Sequence, residues 1–281
     1  MLKVGYLGPE GTFSDEASSL YKKKIGNAEF IPFSTFHDII TAVDKGRIQE
    51  GIVPIENSVE GTIGIVTDML VNEVDLKIKQ ELVIPVQHFL LARKKVPIRK
   101  ITEVLSHPQV LDQCKNYLRN NMPKAKIRFT YSSAEAAKQA ATTIEVEGIE
   151  MPAAIANKAA ARLYSLKVIA SKINDYPDNS TRFIVLARTD HKRTSKDKTS
   201  IVFSILKDRP GGLHNILGEF AKRHINLTKI ESRPTKISLG DYYFFIDMNG
   251  HRSDKTVAAA LTEVKRMASF FKVLGSYPKA S

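Results

Sequence analysis

Residues 51–62 read Gly-Ile-Val-Pro-Ile-Glu-Asn-Ser-Val-Glu-Gly-Thr, an apolar run that ends abruptly in a carboxylate, an amide and a hydroxyl. In open α/β sheets ligands bind beyond the ends of strands, because loops converge in the crevice there. A carboxyl group at Glu56, beside apolar neighbours, could lose hydration, which favours the protonated form that donates a proton. Asn57 and Ser58 could instead cap a helix, since both residue types make good N-caps. This stretch alone leaves the two interpretations equal.

The pattern around this stretch favours an α/β fold, because strands and helices alternate along the chain. A β-rich stretch at 74–92 can carry the chain into a second lobe, where the alternation resumes. We therefore predict two α/β lobes with a cleft between them. The predicted elements are strand 2–7, helix 15–24 capped by Ser14, strand 28–33, helix 35–45, strand 50–55, strand 101–105, helix 108–121, strand 126–131, helix 133–147, strand 153–156, helix 157–164, strand 166–170 and strand 181–187.

The remainder of the chain reads as a linker and a small second domain. Residues 189–198 are polar without periodicity, which is typical of a linker. From residue 199 to 281 the pattern gives strand, helix, two strands, helix and strand, the ferredoxin-like βαββαβ order. We thus divide the chain into 1–188, 189–198 and 199–281.

Composition limits the class of protein. The net charge of +12 is compatible with nucleic-acid binding. The basic residues are scattered along the chain, however, so we favour a lysine-rich solvated surface. No apolar run is long enough to span a membrane, and the first residues enter a strand without a secretory signal. A single cysteine, Cys114, leaves no internal disulfide. Together these features predict a cytoplasmic protein.

Three further segments carry polar side chains at strand boundaries. They are Gly8–Ser14, Ser106–Gln109 continuing to Gln113, and Asn179–Phe183. For Gly8–Ser14 a tight turn is at least as good an explanation, and Ser106 could cap a helix or donate to a ligand carboxylate. For Asp178–Phe183 a surface turn before an edge strand is the better explanation when the segment is taken alone. Cys114 lies in a helical pattern without basic neighbours, which predicts buried packing and not a nucleophile. The histidines are dispersed without metal-ligand spacing, and no phosphate-binding or dinucleotide motif occurs.

Taken together, these segments resemble the prephenate dehydratase family. The matching motifs are Gly8-Pro9-Glu10-Gly11-Thr12-Phe13-Ser14, Pro54-Ile55-Glu56-Asn57-Ser58, Ser106-His107-Pro108-Gln109 with Gln113-Cys114, and Asn179-Ser180-Thr181-Arg182-Phe183. The C-terminal block resembles an ACT domain, through Gly211-Gly212-Leu213-His214 and Glu231-Ser232-Arg233-Pro234. The resemblance covers essentially the whole chain.

The resemblance implies a periplasmic-binding-protein-like catalytic domain with an inter-lobe cleft, followed by a ferredoxin-like ACT domain. It implies decarboxylating dehydration of prephenate to phenylpyruvate, with no cofactor and no metal. The implied catalytic residues are Thr181, Glu56, Asn57 and Gln113, and the implied substrate-binding residues are Thr12, Ser58, Ser106, Arg182 and Phe183. Either Glu56 or Thr181 can be the proton donor at this point. A threonine hydroxyl is a weak acid, so it needs a polarising neighbour or acts only through a hydrogen bond.

For the second domain, the resemblance implies feedback inhibition by L-phenylalanine, bound between paired ACT domains of a homodimer or homotetramer. The implied effector-binding residues are Gly211, Gly212, Leu213, His214, Glu231, Ser232, Arg233 and Pro234. Gly212 departs slightly from the family pattern, in which alanine is common. Because the first strand starts the chain, no chorismate mutase domain precedes it, and we expect a monofunctional enzyme.

Three alternatives stay open from the sequence. An arogenate dehydratase performs the same chemistry on the amino analogue of prephenate. A non-catalytic amino-acid-sensing or solute-binding protein also has two lobes around a cleft, although such proteins are usually exported. A basic nucleic-acid binder ranks last, and it predicts strongly salt-dependent affinity.

Overall fold

The computed structural model describes residues 1–143, 151–205, 210–236, 238 and 240–280 of the 281-residue chain. It contains two α/β lobes and a ferredoxin-like unit, which confirms the predicted fold class. The strands are β1 (Leu2–Leu7), β2 (Ala28–Phe33), β3 (Glu50–Asn57), β4 (Gly61–Thr62), β5 (Lys77–Pro85), β6 (Phe89–Ala92), β7 (Ile101–Ser106), β8 (Lys126–Phe129), β9 (Met151–Ala156), β10 (Lys167–Ala170), β11 (Ser180–Ala187), β12 (Asp197–Ile205), β13 (Leu227–Pro234), β14 (Tyr242–Asn249) and β15 (Ala268–Pro278). The α-helices are α1 (Phe13–Ile25), α2 (Phe36–Asp44), α3 (Gly64–Asn72), α4 (Pro108–Asp112), α5 (Lys115–Asn121), α6 (Ser133–Thr142), α7 (Lys158–Leu163), α8 (Gly212–Ala221) and α9 (Lys255–Met267).

Lobe 1 is built on a mixed sheet in the order β2-β1-β3-β11-β5, with β4 paired to the end of β3. β1 runs parallel to β2 and β3, whereas β11 lies antiparallel between β3 and β5. Side chains of a strand alternate between the two faces of its sheet. On one face Ile52 and Phe183 pack with Tyr21 of α1, and on the other face Val53 and Ile184 pack with α2 and α3. A strand buried on both faces needs the nearly continuous apolar runs seen in β3 and β11.

Lobe 2 has a second sheet, in the order β10-β6-β9-β7-β8, with helices on both faces. α6 and α7 cover one face largely through alanines, while α4 and α5 cover the other with Leu111, Cys114 and Leu118. The short alanine side chains of α6 meet Ala154 and Ala156 of β9, so the helix can lie close to the strand. The strand-helix alternation predicted for this lobe is confirmed.

Two crossover segments join the lobes, one between β5 and β6 and one between β10 and β11. They are hydrogen-bonded to each other. His88 donates its backbone N–H to Asn174 Oδ1 at 2.8 Å, and Asn174 Nδ2 donates to the carbonyl of Val86 at 2.6 Å. Val86 in turn donates its N–H to the carbonyl of Asn179 at 2.8 Å. The two crossovers therefore form one hinge at the base of the cleft.

The C-terminal unit is an antiparallel sheet in the order β13-β14-β12-β15. α8 and α9 cover one face, where Phe203, Phe220 and Val264 are buried. The opposite face packs on lobe 1, because Phe245 and Tyr277 share a core cluster with residues of α2, α3 and β5. The sheet is thus covered by its own helices on one side and by lobe 1 on the other.

The helix predicted over 108–121 is two helices, since the chain turns at Gln113 and Cys114. The carbonyl of Gln113 accepts a hydrogen bond from the backbone N–H of Asp175 at 2.7 Å, which removes it from the helical ladder. Cys114 is buried as predicted, and burial raises the pKa of its thiol. The predicted helix end at residue 147 lies outside the described residues.

In the described ranges, no helix combines the length and the apolar character that crossing a bilayer requires.

Gly275 provides a test of how closely β15 approaches lobe 1. A Cβ at this position would lie 2.3 Å from the carbonyl oxygen and 2.7 Å from the nitrogen of Ile78, both backbone atoms. We therefore expect Gly275→Ala to lower the free energy of unfolding by about 2 kcal/mol or more, as overpacking does. Urea denaturation measures this change.

Gly218→Ala is the matched control, because Gly218 lies inside α8 and nothing comes within 4 Å of the added Cβ. Alanine is the better helix former, so the control should unfold at the same or a higher urea concentration. Equal stability of Gly275→Ala and the wild type would contradict the close packing.

Candidate active site

Thr181 and Asn57 form the centre of the site, because β11 pairs with β3 in a register that places them opposite each other. Asn57 Nδ2 donates to Thr181 Oγ1 at 2.9 Å and to Asn179 Oδ1 at 2.8 Å. Asn57 Oδ1 accepts the backbone N–H groups of Val59 and Glu60 at 2.9 and 3.0 Å. The two accepted bonds identify the amide oxygen and orient the amide nitrogen toward Thr181. No helix begins at Asn57, so the helix-cap interpretation is wrong.

Gln113 reaches the same site from lobe 2. Its Oε1 accepts from Asn179 Nδ2 at 3.2 Å and lies 3.0 Å from His88 Nε2. Its Nε2 donates to Glu60 Oε1 at 3.0 Å. One buried side-chain amide thus contacts three groups, two of which, Asn179 and Glu60, flank the cleft on the lobe 1 side. This arrangement agrees with the expectation that Gln113 and Asn57 stand beside Thr181.

Glu56 and Arg182 lie on the opposite face of the sheet, which is covered by the C-terminal unit. Arg182 contacts Glu81 through Nε at 2.9 Å, Asp247 through Nη1 at 2.5 Å and Tyr277 Oη through Nη2 at 2.7 Å. Glu56 lies 3.5 Å from Arg182 Nη1, and its other oxygen is 3.3 Å from Lys229 Nζ of β13.

The charge state of this cluster follows from its composition. Burial by itself lowers the pKa of Arg182, but Tyr277, Asp247 and Glu81 together raise it above its usual value. The guanidinium is therefore a fixed positive charge between lobe 1 and the C-terminal sheet. Its Nη1 and Nη2 groups both donate to protein acceptors, as in a buried structural ion at a domain interface.

The placement of Glu56 has a local cause. In the register of β3 with β11, Arg182 pairs with Glu56 but Phe183 pairs with Pro54, so Ile55 is an extra residue. Such a β-bulge reverses which face the following side chains occupy. Glu56 therefore turns to the back face and Asn57 to the cleft. The expected apolar surroundings of Glu56 are not found, since its carboxylate faces two cations.

Four of the predicted substrate-binding residues have other partners. Thr12 caps α1 in place of the expected Ser14, accepting from Asp15 N at 3.3 Å and lying 3.0 Å from the carbonyl of Pro9. Ser106 is fully buried and donates to the carbonyl of Ile155 at 2.6 Å, so it neither caps a helix nor reaches the cleft. Phe183 is 2% exposed in the core of lobe 1, and Arg182 belongs to the back face.

Ser58 stays at the site. It is exposed, its hydroxyl accepts the backbone N–H of Ser180 at 2.9 Å, and it lies 3.4 Å from Asn179 Oδ1.

Sequence reasoning missed three residues of the site. Asn179 connects Asn57 to Gln113, Glu60 is the carboxylate on the cleft side, and His88 touches Gln113. Asn179 and Glu60 stand within or beside the quoted motifs, so their polar character was the available signal. His88 gave none, because its partner is 25 residues away and the contact exists only in the folded chain.

The predicted effector residues are divided between two surroundings. Gly211 adopts φ +81° immediately before α8, His214 is exposed, and Leu213 is half-buried. Along β13, exposed Ser232 and Pro234 alternate with Glu231 and Arg233, which face lobe 1.

Both inward residues contact lobe 1 directly. Glu231 accepts a hydrogen bond from the hydroxyl of Thr62, and Arg233 lies 3.5 Å from Asp68. The second effector motif therefore has one exposed face and one face against the catalytic lobe.

Across the described ranges, no group of three or more histidine, cysteine, aspartate or glutamate side chains could hold a metal ion. The cleft groups are the hydroxyls of Thr181 and Ser58, side-chain amides and the carboxylate of Glu60. Such groups can orient a small polar molecule and donate hydrogen bonds to a departing oxygen. The fold and the site define a cleft enzyme of two α/β lobes with an attached ferredoxin-like domain.

Comparison with known proteins identifies the family. The family model for prephenate dehydratase matches residues 4–191, and that for the ACT domain matches residues 199–266. A bifunctional chorismate mutase/prephenate dehydratase of Aquifex aeolicus is 42% identical over 99% of this chain and 74% of its own length. The prephenate dehydratase of Methanocaldococcus jannaschii is 37% identical over 98% of this chain and 97% of its own.

A solved structure gives the same result. The prephenate dehydratase of Arthrobacter aurescens, in complex with L-Phe, is 35% identical, and the match covers 99% of this chain and 90% of that one with a TM-score of 0.86. The chain belongs to the prephenate dehydratase family and carries an ACT domain.

The ion cluster on the back face predicts a large stability effect. In Asp247→Ala, Arg182 loses its 2.5 Å partner while it stays buried, and Ser200 loses its acceptor. Removing one member of a buried ion pair typically costs 3–5 kcal/mol, so we expect a loss of about 3 kcal/mol in the free energy of unfolding, since Glu81 remains. Urea denaturation at constant pH provides the measurement.

Glu263→Ala is the control for this variant. It breaks the ion pair of Glu263 with Arg266, whose side chains are 34% and 72% exposed. An exposed pair of this kind contributes less than about 1 kcal/mol. A similar, small effect of both substitutions would show that the Arg182 cluster does not hold the two domains together.

Proposed function

We propose that this chain converts prephenate to phenylpyruvate in the cleft between its lobes. The ring carboxylate leaves as carbon dioxide, and its bonding electrons form the aromatic ring while the C–O bond to the ring hydroxyl breaks. The departing oxygen takes one proton and leaves as water. Since aromatisation drives the reaction, the protein has to hold the substrate and supply hydrogen bonds or a proton to the leaving group.

The observation that carries this proposal is the hydrogen bonding of Thr181. Its oxygen accepts from Asn57 Nδ2 at 2.9 Å, and within the described part of the chain its own hydrogen has no acceptor. Accepting a hydrogen bond polarises the O–H group, which makes it a better donor. This is the polarising neighbour that a threonine needs in order to act on a leaving hydroxyl. We assign Thr181 as the group nearest the departing oxygen.

The remaining polar groups of the cleft have supporting roles in this proposal. Asn57 polarises Thr181. Asn179 accepts a hydrogen bond from Asn57 and donates one to Gln113, so Gln113 fixes Asn57 through Asn179. Ser58 is exposed beside them and can donate to a substrate carboxylate. Glu60, which is exposed in the cleft and oriented by Gln113, replaces Glu56 as the carboxylate that can deliver a proton.

We assign a different role to Glu56 and Arg182. Glu56 directly precedes Asn57 on β3, and Arg182 directly follows Thr181 on β11. Both nevertheless contact the C-terminal sheet, Glu56 through Lys229 and Arg182 through Asp247. A shift of that sheet would act on the same two backbone segments that carry Asn57 and Thr181. We therefore propose that these two residues couple the ACT domain to the cleft and do not bind substrate.

Regulation by L-phenylalanine is part of the proposal. The solved relative from Arthrobacter aurescens is described in complex with L-Phe. In this chain the loop at Gly211 and the exposed face of β13 are the predicted effector site. Because Glu231 and Arg233 contact lobe 1 from the same strand, an effector that favours one of two states of this strand would also bias the cleft.

We further propose that two copies pair through their ACT domains, giving a homodimer or homotetramer. β13 is an edge strand, and its outward side chain Ile230 is 49% exposed. An open edge strand is a natural place for a second copy to pair. We also propose the division into 1–188, 189–198 and 199–281. The family matches to 4–191 and 199–266 support a boundary in this region, and β12 begins two residues before the proposed second domain, at Asp197. We propose a cytoplasmic location as well, which the single cysteine supports.

Thr181→Val tests the catalytic assignment. Valine keeps the branched shape but removes the hydroxyl, so we expect kcat for phenylpyruvate formation from prephenate to fall roughly 10²- to 10³-fold, as for loss of one catalytic hydrogen-bond donor. KM should change little, because the interaction is made mainly in the transition state.

The matched variant is Thr181→Ser, which keeps the hydroxyl and should retain most of kcat. Near-normal kcat in Thr181→Val would reject Thr181 as the group that acts on the leaving oxygen. Turnover of prephenate against arogenate in the wild type then decides between the two substrates.

Gly211→Ala tests the effector site. Gly211 has φ +81° with nothing within 4 Å of an added Cβ, so the substitution strains the backbone without a steric clash. A left-handed conformation costs about 1–2 kcal/mol for a residue with a side chain, so we expect L-phenylalanine to bind about tenfold more weakly. Isothermal titration calorimetry measures the Kd, and Gly218→Ala, inside the adjoining helix α8, is the control. An unchanged Kd in Gly211→Ala would place the effector elsewhere.

A further inference from the structure

His88 lies at the hinge between the lobes. It follows β5 and precedes β6, and its side chain is 1% exposed. Both of its backbone groups are hydrogen-bonded to the crossover between β10 and β11. Its N–H donates to Asn174 Oδ1 at 2.8 Å, and its carbonyl accepts from Ile173 N at 3.1 Å. The imidazole is therefore held by the backbone at the point where the lobes meet.

The neighbours of the imidazole define which nitrogen carries its proton. Gln113 Nε2 donates to the carboxylate of Glu60, so Gln113 Oε1 is the acceptor atom that faces His88 Nε2 at 3.0 Å. His88 Nε2 must then be the donor. Burial lowers the pKa of His88, which favours the neutral ring. Its Nδ1 has no hydrogen-bond partner in the described ranges, and the edge of the ring meets Phe13 with centroids 5.7 Å apart.

A chain of hydrogen bonds runs from His88 to Thr181, and in it the donor and acceptor atoms of each side-chain amide are defined by their partners. Gln113 Oε1 accepts from both His88 and Asn179, and Asn179 Oδ1 accepts from Asn57. Asn57 also donates to Thr181 Oγ1. The direction of every amide is set by its neighbours, so a change of the Gln113 rotamer would disturb each following contact.

We propose that His88 is a positioning residue for the dehydration. Its Nε2–H fixes the side-chain amide of Gln113, and Gln113 then orients Glu60 and Asn179 on the other side of the cleft. The inference rests on the proposed function. It adds a hinge residue, outside all the motifs that carry the family resemblance, to the groups on which turnover depends.

The alternative is a core histidine whose only role is packing. Such a residue affects stability, but the change in kcat on its replacement would be the same whether or not Gln113 is present. The two roles are distinguished by His88 variants that remove or keep the N–H donor, and by a double-mutant cycle of His88 with Gln113.

The first experiment compares His88→Leu with His88→Gln in the full chain. Leucine removes the donor, and we expect kcat to fall by up to about 100-fold with little change in KM, as for a misplaced catalytic group. Glutamine places an amide N–H near the position of Nε2 and should restore most of kcat. His37→Leu, at an exposed position of α2, is the matched control and should have wild-type kcat. Wild-type kcat in His88→Leu, or equal losses in the leucine and glutamine variants, would overturn the proposal.

The second experiment repeats His88→Leu in a Gln113→Ala background. Because His88 acts through Gln113, we expect no further loss of kcat there. A further loss as large as in the wild-type background would show that His88 acts independently of Gln113, and would refute the proposal.

The third experiment does not depend on activity. Nitrogen NMR of ¹⁵N-histidine-labelled protein should show His88 as a neutral ring protonated at Nε2, with a shift of this signal in Gln113→Ala. A ring protonated at Nδ1 would overturn the assignment, even in a variant that is poorly active. If the wild-type chain fails to convert prephenate, the proposed function fails, and this signal still reports separately on the contact of His88 with Gln113.

Discussion

The structure depends on the insertion of β11 between β3 and β5. This antiparallel strand comes from the far end of the first domain, and it pairs Thr181 with Asn57 across 124 residues of sequence. The pairing returns the chain from lobe 2 to lobe 1 and closes the hinge. It also places Arg182 on the back of the sheet. One strand therefore supplies the hydroxyl of Thr181 to the cleft and the buried cation of Arg182 to the domain interface.

The domain interface is held by charge and by apolar packing together. A guanidinium taken out of water is costly, and only the several acceptors around Arg182 offset this cost. Beside it, Phe245 and Tyr277 of the C-terminal sheet enter the same apolar cluster as the helices of lobe 1. The regulatory sheet thus forms part of the catalytic lobe's core. A change in that sheet reaches the strands of the site through direct contacts.

Much of the architecture could be predicted from the sequence because its causes are local. Alternating strand and helix patterns and the βαββαβ order each follow from periodicity over ten or so residues. Thr181, Asn57 and Gln113 were candidates only through the family resemblance, because polar residues at strand and helix boundaries are equally common as turns and caps. The side of the sheet on which Glu56 and Arg182 lie could not be predicted from the sequence. Their direction depends on the bulge at Ile55 and on the partner sheet, neither of which leaves a local signal.

The sequence by itself determined the fold class and the order of its elements, since hydrophobic pattern is a property of short segments, and its motifs gave the candidates for the site through a family resemblance. Only the tertiary structure decided which polar residue faces which side. It turned Glu56 toward the ACT domain, brought Glu60 and His88 to Gln113, and buried Ser106 and Phe183. The physical reason is that a hydrogen bond between distant residues is specified by register and packing across strands. These are set only when the whole sheet has formed.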